Sequence, residues 1–252
     1  MIYRILKKIN FYLQKVFSWF LRFAILPDFI VFNRKKAEKR FSIRWKDFYP
    51  EIRDKTKATS FDRHYLYHTA WAVRKVKEIN PILHIDIGSS LYFSSLLSAF
   101  IPAEFYDYRP PLLKLDNLGV KKGDLLHLPF EDGCVNSISC MHTVEHIGLG
   151  RYGEPIDPAA DLKAIKELKR VLAPGGSLLF VVPIGGKAKI AFNAHRIYTY
   201  EIIMDYFKEL ELREFSLILE FEKDGIGIIT SATREQAEKE SYGCGCFWFI
   251  KK

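Results

Sequence analysis

The sequence has too few cysteines for a disulfide-bonded scaffold. Its 252 residues contain four of them, and no small-residue cleavage site follows the apolar stretch near the amino terminus, as a secretory signal would require. Disulfide frameworks occur mainly in small secreted domains that are dense in cysteine. Because Cys244 and Cys246 lack the second pair of a typical zinc motif, we interpret them as buried strand thiols. We therefore expect a cytoplasmic protein without a bound metal.

The sequence also lacks a membrane-spanning run. Positions 11–32 are rich in Phe, Trp, Leu and Ile, but Lys15 and Arg22 interrupt them and Pro27 ends the pattern, so the ~20 consecutive apolar residues of a spanning helix are not reached. The net charge of +8 is uneven, because residues 1–46 hold twelve Lys or Arg against two acidic residues. We divide the chain into a basic amphipathic extension at 1–58 and a second domain at 59–252.

The basic extension allows two interpretations. Apolar bulk, Trp19 and a dense set of cations are typical of a helix that lies on the surface of an anionic membrane. The same residues could instead pack on the domain or on a second copy of the chain, with their charges solvated. Nucleic acid is a weaker alternative, since the Phe and aliphatic content indicates burial. We predict a peripheral membrane surface or a homo-oligomer as partner of residues 1–46, and no nucleic acid.

From position 59 onward, strand and helix signals alternate. The apolar runs "ILHIDI", "AEFYDY", "CVNSISCM" and "SLLFVVP" predict strands, and "FDRHYLYHTAWAVRKVKEIN", "LYFSSLLSAF" and "TYEIIMDYFKEL" predict helices. In "DPAADLKAIKELKRVLAPGG", Leu162, Ile165, Leu168 and Leu172 share one helical face, and the terminal "PGG" ends the helix. This alternation predicts an α/β fold with a Rossmann-like, doubly wound and mostly parallel sheet. The runs "FSLILEFE" and "GCGCFWFI" predict a terminal antiparallel pair.

Polar residues follow the predicted strands, where a parallel sheet binds its ligands. Asp86 and Gly88 follow the first strand in "LHIDIGSSLYF", and Asp107 ends the second. An acid about twenty residues after a glycine loop can accept hydrogen bonds from both hydroxyls of a ribose. Asp124 follows in "GDLLHLPFEDG", and "MHTVEHIG" closes a further strand. The strand ends therefore indicate a nucleotide-like ligand.

The loop after the first strand lacks most of the glycines of a dinucleotide fingerprint. Only Gly88 is present, and Ser90 and Tyr92 stand where G-x-G-x-x-G has its other two glycines. This disfavours a nicotinamide dehydrogenase. Ser90 is small enough for close backbone approach. Tyr92 leaves two outcomes: a ring in the helix–sheet core permits cofactor binding, and a ring in the ligand channel makes the domain a scaffold.

The order and spacing of these elements resemble the class I S-adenosylmethionine-dependent methyltransferases, closely over positions 82–183 and in outline beyond them. Within that class, "EHIGLGRYGEPIDP", "ELKRVLAPGG" and "NAHRIY" resemble an uncharacterised methyltransferase-like family. The resemblance implies S-adenosylmethionine as the cofactor. It implies the following cofactor contacts: Asp86, Gly88 and Ser89 near the methionine part, Asp107 at the ribose hydroxyls, Asp124 and Leu125 at the adenine, and His142 beneath the cofactor.

Methyl transfer needs in-line positioning, and a general base when the acceptor is a hydroxyl. His146 is the first candidate, because it follows the fourth strand and lies near the expected sulfonium. Guanidinium groups suit an anionic acceptor such as a phosphate or carboxylate. The catalytic candidates are His146, Asp157, His195 and Tyr198, and the substrate-binding candidates are Arg151 and Arg196. We predict O-methyl transfer to a small or glycan-like acceptor at a membrane surface.

Two alternative functions remain open. The domain could keep the fold without cofactor binding, as a catalytically inactive scaffold. In addition, "HTVEH" matches the H-x-x-E-H pattern of zinc hydrolases, although Gly148 and Gly150 follow at once and do not favour the long helix that this pattern requires. His64 and His68, one helical turn apart, are predicted either to cap the cofactor pocket or to be ordinary solvated or core residues.

Overall fold

The computed structural model describes residues 23–35, 41, 44–51, 54–223 and 225–252. The chain forms two compact units, Met1–Phe61 and Asp62–Lys252. In the first unit, helix α1 (Leu26–Arg34) has its proline in the first turn. Pro27 therefore begins a helix instead of ending one, because the first turn has no partner for the amide hydrogen that proline lacks. The upstream part of the predicted interfacial helix lies outside the described residues.

A small aromatic cluster follows α1. The rings of Trp45 and Phe48 stack with centroids 5.3 Å apart, and Phe29 meets both edge-on at 5.8 and 5.1 Å. Trp45, at the start of a 3₁₀ turn, nevertheless keeps 64% of its surface exposed. Among the described residues, no helix has both the length and the apolar content to cross a membrane.

The second unit is built on an eight-stranded sheet in the order β3-β2-β1-β4-β5-β10-β8-β9. The five strands from β3 to β5 are parallel, and β10, β8 and β9 are antiparallel to their neighbours. The strands are β1 (His84–Ile87), β2 (Ala103–Asp107), β3 (Leu118–Lys122), β4 (Val135–Met141), β5 (Leu172–Ile184), the separate pair β6 (Lys189–Ala191) and β7 (His195–Ile197), β8 (Leu210–Lys223), β9 (Ile226–Ile229) and β10 (Gly243–Lys251). The prediction of a mostly parallel Rossmann-like sheet with antiparallel strands at its end is confirmed.

Helices cover both faces of this sheet. They are α2 (Arg63–Ile79), α3 (Leu91–Ser98), α4 (Ala160–Val171), α5 (Tyr200–Tyr206) and α6 (Arg234–Ala237). One core cluster includes Ile165 and Leu168 of α4, and the other includes Trp71 of α2 and Phe93 of α3. Because both faces are covered, the central strands β1 and β4 are buried almost along their whole length instead of at alternate positions.

Helix α4 differs from its prediction in two details. Leu162, expected on the buried face, is 44% exposed, and Ala164 lies in the core beside Ile165 and Leu168. The chain turns extended at Leu172, which begins β5. The "PGG" stretch therefore lies within the span of a strand that is longer than the predicted "SLLFVVP".

Strand β3 has no counterpart among the predicted strands. Its sequence, LGVKK, is a short edge segment with only its first residue buried, so it carries little apolar signal. It pairs parallel with β2, and Asp107 lies opposite Lys122 in the register. This pairing brings the segment after β3, which contains Asp124, to the same edge of the sheet as Asp107.

Candidate functional site

A cavity of about 450 Å³ lies at the carboxyl ends of the parallel strands. The chain leaves β1 towards β2 on one side and towards β4 on the other, and such a switch in strand order is where open α/β sheets bind ligands. The volume is in the range of small-molecule sites. Of the predicted site residues, those that line the cavity are Gly88, Asp107, Asp124, Leu125, His142, His146 and Asp157. Those outside its lining are Asp86, Ser89, Arg151, His195, Arg196 and Tyr198.

The loop after β1 needs its one glycine and not the missing ones. Gly88 has φ +65°, and a Cβ there would lie 2.8 Å from Cγ2 of Thr143. Ser90 has an ordinary extended conformation, with φ −66° and ψ 132°, so no glycine is required at this position. The Tyr92 side chain is 81% exposed and lies neither in the core nor in the cavity lining. The departures from the glycine fingerprint therefore do not obstruct the cavity.

Asp86 supports this loop from beneath. Its carboxylate is fully buried and accepts hydrogen bonds from Ser94 Oγ at 2.5 Å and Ser139 Oγ at 2.7 Å. Burial raises the pKa of Asp86 to about 6, although the serine hydroxyls favour its charged form. Ser89 Oγ accepts from the Met141 amide at 3.1 Å, which ties the loop to the end of β4. Both residues hold the loop in place instead of lining the cavity.

Asp107 and Asp124 present two carboxylates to the cavity. Oδ1 of Asp107 accepts from the Arg109 amide at 2.6 Å, and Oδ1 of Asp124 accepts from the Leu126 amide at 2.9 Å. Each local turn uses one carboxylate oxygen and fixes the direction of the side chain. Two orientated acceptors at neighbouring strand ends can bind hydroxyl or amino groups of a ligand.

The fourth strand ends in a buried polar cluster around His142. This residue adopts a left-handed conformation, with φ +53°. Its Nδ1 lies 2.8 Å from Oε1 of Glu145, and its Nε2 lies 3.3 Å from Sγ of Cys244. Burial raises the pKa of Cys244 well above its usual value, so the thiol is protonated unless a cation is near. Although burial lowers it, the pKa of His142 is raised by Cys244 and Glu145.

Two histidines of α2 pack against His142. The His64 ring is stacked on it at 5.6 Å between centroids, and the His68 ring meets it at 5.0 Å and 60°. Burial lowers the pKa of His64 to about 4 and that of His68 to about 3, so both are neutral at pH 7. His68 Nδ1 lies 2.6 Å from the His64 carbonyl oxygen. His68 is fully buried, which excludes a solvated position for this residue.

His146 has the protonation state of a general base. Its Nδ1 lies 2.6 Å from the carbonyl oxygen of Ala194. Nδ1 also lies 3.1 Å from Nη1 of Arg151, which can only donate. The carbonyl contact is the shorter of the two, and since a carbonyl can only accept, it favours the proton on Nδ1 and the lone pair on Nε2. Burial lowers the pKa of His146, which keeps the ring neutral at pH 7. Arg151 also donates to the Ala194 carbonyl, at 2.8 Å, and so fixes the same loop.

The other catalytic candidates differ in their availability. Asp157 lines the cavity, and Lys163, at 2.6 Å, holds its pKa below the usual range. The His195 ring lies 6.4 Å from that of His146. Tyr198 is buried and donates to Asp161 at 3.0 Å, and burial raises its pKa far above the usual range. This buried hydrogen bond gives Tyr198 a structural role, because it links the segment after β7 to Asp161 of α4.

Arg196 is a tie between loops in this structure. It is 5% exposed and donates to the carbonyl oxygens of Glu145, Ile147 and Pro158 at 3.5, 2.7 and 3.3 Å. It also lies 3.5 Å from Asp161. Because its guanidinium already binds these protein groups, Arg196 stabilises the loops and is not available to bind an acceptor.

Sequence reasoning missed part of the site. Aromatic side chains line the cavity beside the acids, and Arg109 lies 4.6 Å over the ring of Tyr152. The additional lining residues include Tyr106, Tyr108, Arg109, Thr143, Tyr152 and Glu154. Tyr108 and Arg109 directly follow β2, so their position at a strand end was a usable signal. Glu145 and Cys244, by contrast, meet His142 only through tertiary packing.

The "HTVEH" pattern does not take the form that zinc hydrolysis requires. Residues Val144–His146 form a single 3₁₀ turn, so the two histidines do not share the face of a long helix. They lie instead on either side of Glu145, whose Oε1 is 2.8 Å from His142 and 3.7 Å from His146. This interpretation is disfavoured for geometric reasons.

Two comparisons at the sequence level find proteins of unassigned activity. Residues 121–223 match the family model described as "Caenorhabditis protein of unknown function, DUF268". The chain is also 25% identical over 164 residues to an uncharacterized protein of Methanocaldococcus jannaschii. This match covers 63% of the chain and 61% of the relative, so the chain spans about three fifths of that relative's length.

Solved structures share the fold. The YcgJ protein of Bacillus subtilis has a TM-score of 0.51 at 12% identity, over 74% of this chain and 99% of that one. A putative sarcosine dimethylglycine methyltransferase from Galdieria sulphuraria has 0.51 at 16%, over 74% and 86%. The N-methyltransferase NodS of Bradyrhizobium japonicum, solved with S-adenosylhomocysteine, has 0.50 at 13%, over 88% and 97%. The predicted resemblance is confirmed for the fold: the chain has the Rossmann-like fold of the class I methyltransferases.

Proposed function

We propose that the protein is an S-adenosylmethionine-dependent methyltransferase whose cofactor occupies the cavity at the ends of β1 to β4. The observation that carries this proposal is the common position of Gly88, Asp107 and Asp124 around one cavity. Asp107 accepts from the ribose hydroxyls, and Asp124 accepts from the adenine amino group beside Leu125. The left-handed turn at Gly88 leaves room for the methionine part, with His142 beneath the cofactor.

The chemistry of the cavity supports a cationic cofactor. Four carboxylates line it, together with three tyrosine rings, namely Asp107, Asp124, Glu154, Asp157, Tyr106, Tyr108 and Tyr152. Carboxylates attract the positive sulfonium. The tyrosine rings already have cationic side chains over them, namely Arg109, Lys121 and Lys122, so the attraction comes from the carboxylates. Three residues outside this set hold the walls of the site: Asp86, Ser89 and Arg196.

We assign the transfer to an acceptor oxygen, with His146 as the general base. A neutral imidazole with its proton on Nδ1 can take the hydroxyl proton on Nε2 as the methyl group moves. The acceptor class is small or glycan-like, with Arg151 near the base and His195 behind it. A catalytically inactive scaffold with the same fold is the second candidate. The sequence departure at Ser90 and Tyr92 raised this candidate, but neither residue obstructs the cavity.

Calorimetric titration with S-adenosylmethionine and S-adenosylhomocysteine tests cofactor binding. We expect both to bind, and expect Asp107→Ala and Asp124→Ala each to weaken binding at least about tenfold, because a carboxylate hydrogen bond contributes roughly 1.5–3 kcal/mol. Asp205→Asn is the matched control, since Asp205 is 69% exposed at its side chain in an i,i+3 ion pair. Absence of heat at millimolar ligand would overturn the proposal in favour of the scaffold.

Transfer of labelled methyl groups into glycan, lipid and protein acceptors tests the reaction class. His146→Asn is expected to lower kcat at least a hundredfold while cofactor affinity stays unchanged, since general bases contribute ~10²–10⁴. His127→Asn, at an 85% exposed side chain, is the control. Label found only in protein or RNA would contradict the acceptor class and leave the cofactor assignment standing.

The domain division and the membrane partner complete the proposal. We assign residues 1–58 to an extension that holds the enzyme peripherally on an anionic cytoplasmic membrane face through residues 1–46, and residues 59–252 to the catalytic domain. Sedimentation with anionic liposomes compares the full chain with a version truncated before Lys46. Equal partitioning would contradict the membrane role. Light scattering on the same two proteins tests the alternative, a homo-oligomer formed through the extension.

A further inference from the structure

A group of three metal-type ligands lies beside the cavity, and the methyl-transfer proposal gives it no role as a group. His64, His142 and Cys244 each offer one ligand atom, and these atoms lie within 4.8 Å of one another. We propose that these three side chains bind a zinc ion whose fourth coordination position is left to water or to an acceptor atom. This site does not depend on the cofactor assignment and can be tested without it.

One pair of ligand atoms has the separation of a tetrahedral site. Zinc–nitrogen bonds of ~2.0–2.1 Å and a zinc–sulfur bond of ~2.3 Å place the nitrogen and the sulfur roughly 3.5 Å apart. Nε2 of His142 and Sγ of Cys244 are already 3.3 Å apart. The ligand atom of His64 lies within 4.8 Å of both, so zinc binding requires the half-buried His64 ring to move towards them.

The hydrogen bond of His142 orientates it as a metal ligand. Its Nδ1 donates to the Glu145 carboxylate at 2.8 Å, and its Nε2 faces Sγ of Cys244. Metal-binding histidines commonly donate one N–H to a carboxylate and bind the metal through the other nitrogen, which loses its proton when the metal binds. His64 packs against the Tyr242 ring, with centroids 5.1 Å apart.

Two buried polar atoms without a partner border the group. Glu145 Oε2 and His68 Nε2 have no hydrogen-bond partner among the described residues, and both side chains are direct neighbours of His142. Buried polar groups are normally paired, so the polar contacts around His142 are incomplete. Because metal binding releases protons from its ligands, a divalent ion would supply the positive charge that Glu145 and the Cys244 thiolate then need.

The donor set selects the metal. One thiolate and two imidazoles suit zinc, whereas magnesium and calcium require oxygen ligands. Three protein ligands with one open position are typical of zinc sites that act on a bound water or substrate. His142 also lines the cavity, so that position is within reach of its contents. The site uses only the first histidine of "HTVEH" and is distinct from the hydrolase interpretation of that motif.

Metal analysis of the full chain, purified without chelators, tests this site. We expect about one zinc per chain in the wild type, and at least a tenfold loss of zinc affinity in His64→Ala and in Cys244→Ser. Cys140→Ser is the matched control, because Cys140 is also fully buried but lies outside the group. Cobalt(II) should give a thiolate-to-metal charge-transfer band that Cys140→Ser retains and Cys244→Ser loses.

Folding and cofactor binding are measured on the same samples. If Cys244→Ser does not fold, the half-buried His64→Ala and the cobalt spectrum of the wild type decide the question. A wild type without stoichiometric zinc or cobalt, or an equal loss of metal in Cys140→Ser and Cys244→Ser, would overturn the proposal. Zinc binding without S-adenosylmethionine binding would support the metal site and refute the enzyme. S-adenosylmethionine binding without zinc binding would support the enzyme and refute the metal site.

Discussion

The two sides of the cavity are built in different ways. The strand-end side, Gly88, Asp107 and Asp124, comes from the ends of consecutive elements, and backbone amides orientate its carboxylates. The histidine side, His64 and His142 with their neighbours, brings together α2, the end of β4 and β10. The first side follows from the topology of any doubly wound sheet, because parallel strands end at one edge. The second depends on how distant segments of this particular chain pack.

The two sides also differ in how their buried polar atoms are paired. Beneath the strand-end side, both ring nitrogens of His84 meet serine hydroxyls, Ser137 at 2.8 Å and Ser139 at 3.0 Å. On the histidine side, His68 Nε2 and Glu145 Oε2 have no such partner within the described part of the chain. Since buried polar groups are normally paired, these groups of the strand-end side need no further partner, whereas a further ligand is expected on the histidine side.

The largest loss of stability should come from replacing Arg196, which links the loop after β4 on the histidine side to Pro158 and Asp161. Arg196→Ala leaves buried Asp161 with the Tyr198 hydroxyl but without its cationic partner, and it removes this donor from three carbonyl oxygens. Loss of one partner of a buried ion pair costs about 3–5 kcal/mol. Urea unfolding should show a loss of that size, compared with about 0.5 kcal/mol or less for an exposed control. Arg74→Ala is that control, since Arg74 donates to Ala70 on the exposed side of α2. Equal losses would mean that the loops need no such tie.

The next effect tests the strand-end side at its one required glycine. Gly88→Ala combines a left-handed backbone with a Cβ 2.8 Å from Thr143. Gly175→Ala, with φ +74° and nothing within 4 Å of the added Cβ, carries the backbone strain alone, which is roughly 1–2 kcal/mol. The first variant should lose about 1–3 kcal/mol more, from overpacking, and should also weaken cofactor binding. Equal unfolding free energies would show that Thr143 moves aside freely.

A smaller effect concerns the pH dependence of stability at His84, whose two ring nitrogens both meet serine hydroxyls. Burial lowers the pKa of His84 to about 3. As the pH falls below about 6.5, the unfolded chain takes up a proton on this ring and the folded chain does not, so stability is lost by at most about 1.4 kcal/mol per pH unit. Asp86 acts in the opposite direction, because its folded pKa of about 6 is raised.

Replacement of His84 isolates this contribution. Between about pH 7 and pH 5, the free energy of unfolding of His84→Asn should fall less steeply than that of the wild type, by up to the slope of one group. Parallel curves for His84→Asn and the wild type would show that His84 is protonated in the folded state.

The smallest effect is expected at the residue that departs most from the glycine fingerprint. Tyr92 is 81% exposed, so Tyr92→Ala should change the free energy of unfolding by no more than about 0.5 kcal/mol. Titration with S-adenosylmethionine should give the wild-type affinity. A gain in affinity would place the ring in the ligand channel and would favour the scaffold interpretation.

Much of the fold was predictable because apolar periodicity reports burial. The run around Phe180 is continuously apolar because helices cover both faces of the sheet. The edge strand β3 was missed because only one of its residues is buried. Leu162 was misplaced because helical spacing alone does not fix which of two adjacent faces meets the sheet. Pro27 begins a helix, since proline fits both the end of one helix and the first turn of another.

The sequence by itself determined the order of the main strands and helices, the turn at Gly88 and the placement of Asp107 at a strand end. These features depend on local conformation and on the common polarity of parallel strands. Tertiary structure alone decided that Tyr92 is exposed, that Arg196 is buried, and that Cys244 meets His142 across 102 positions of chain. The reason is physical: a local pattern determines which way a side chain can turn, but only the packed elements determine what it meets there.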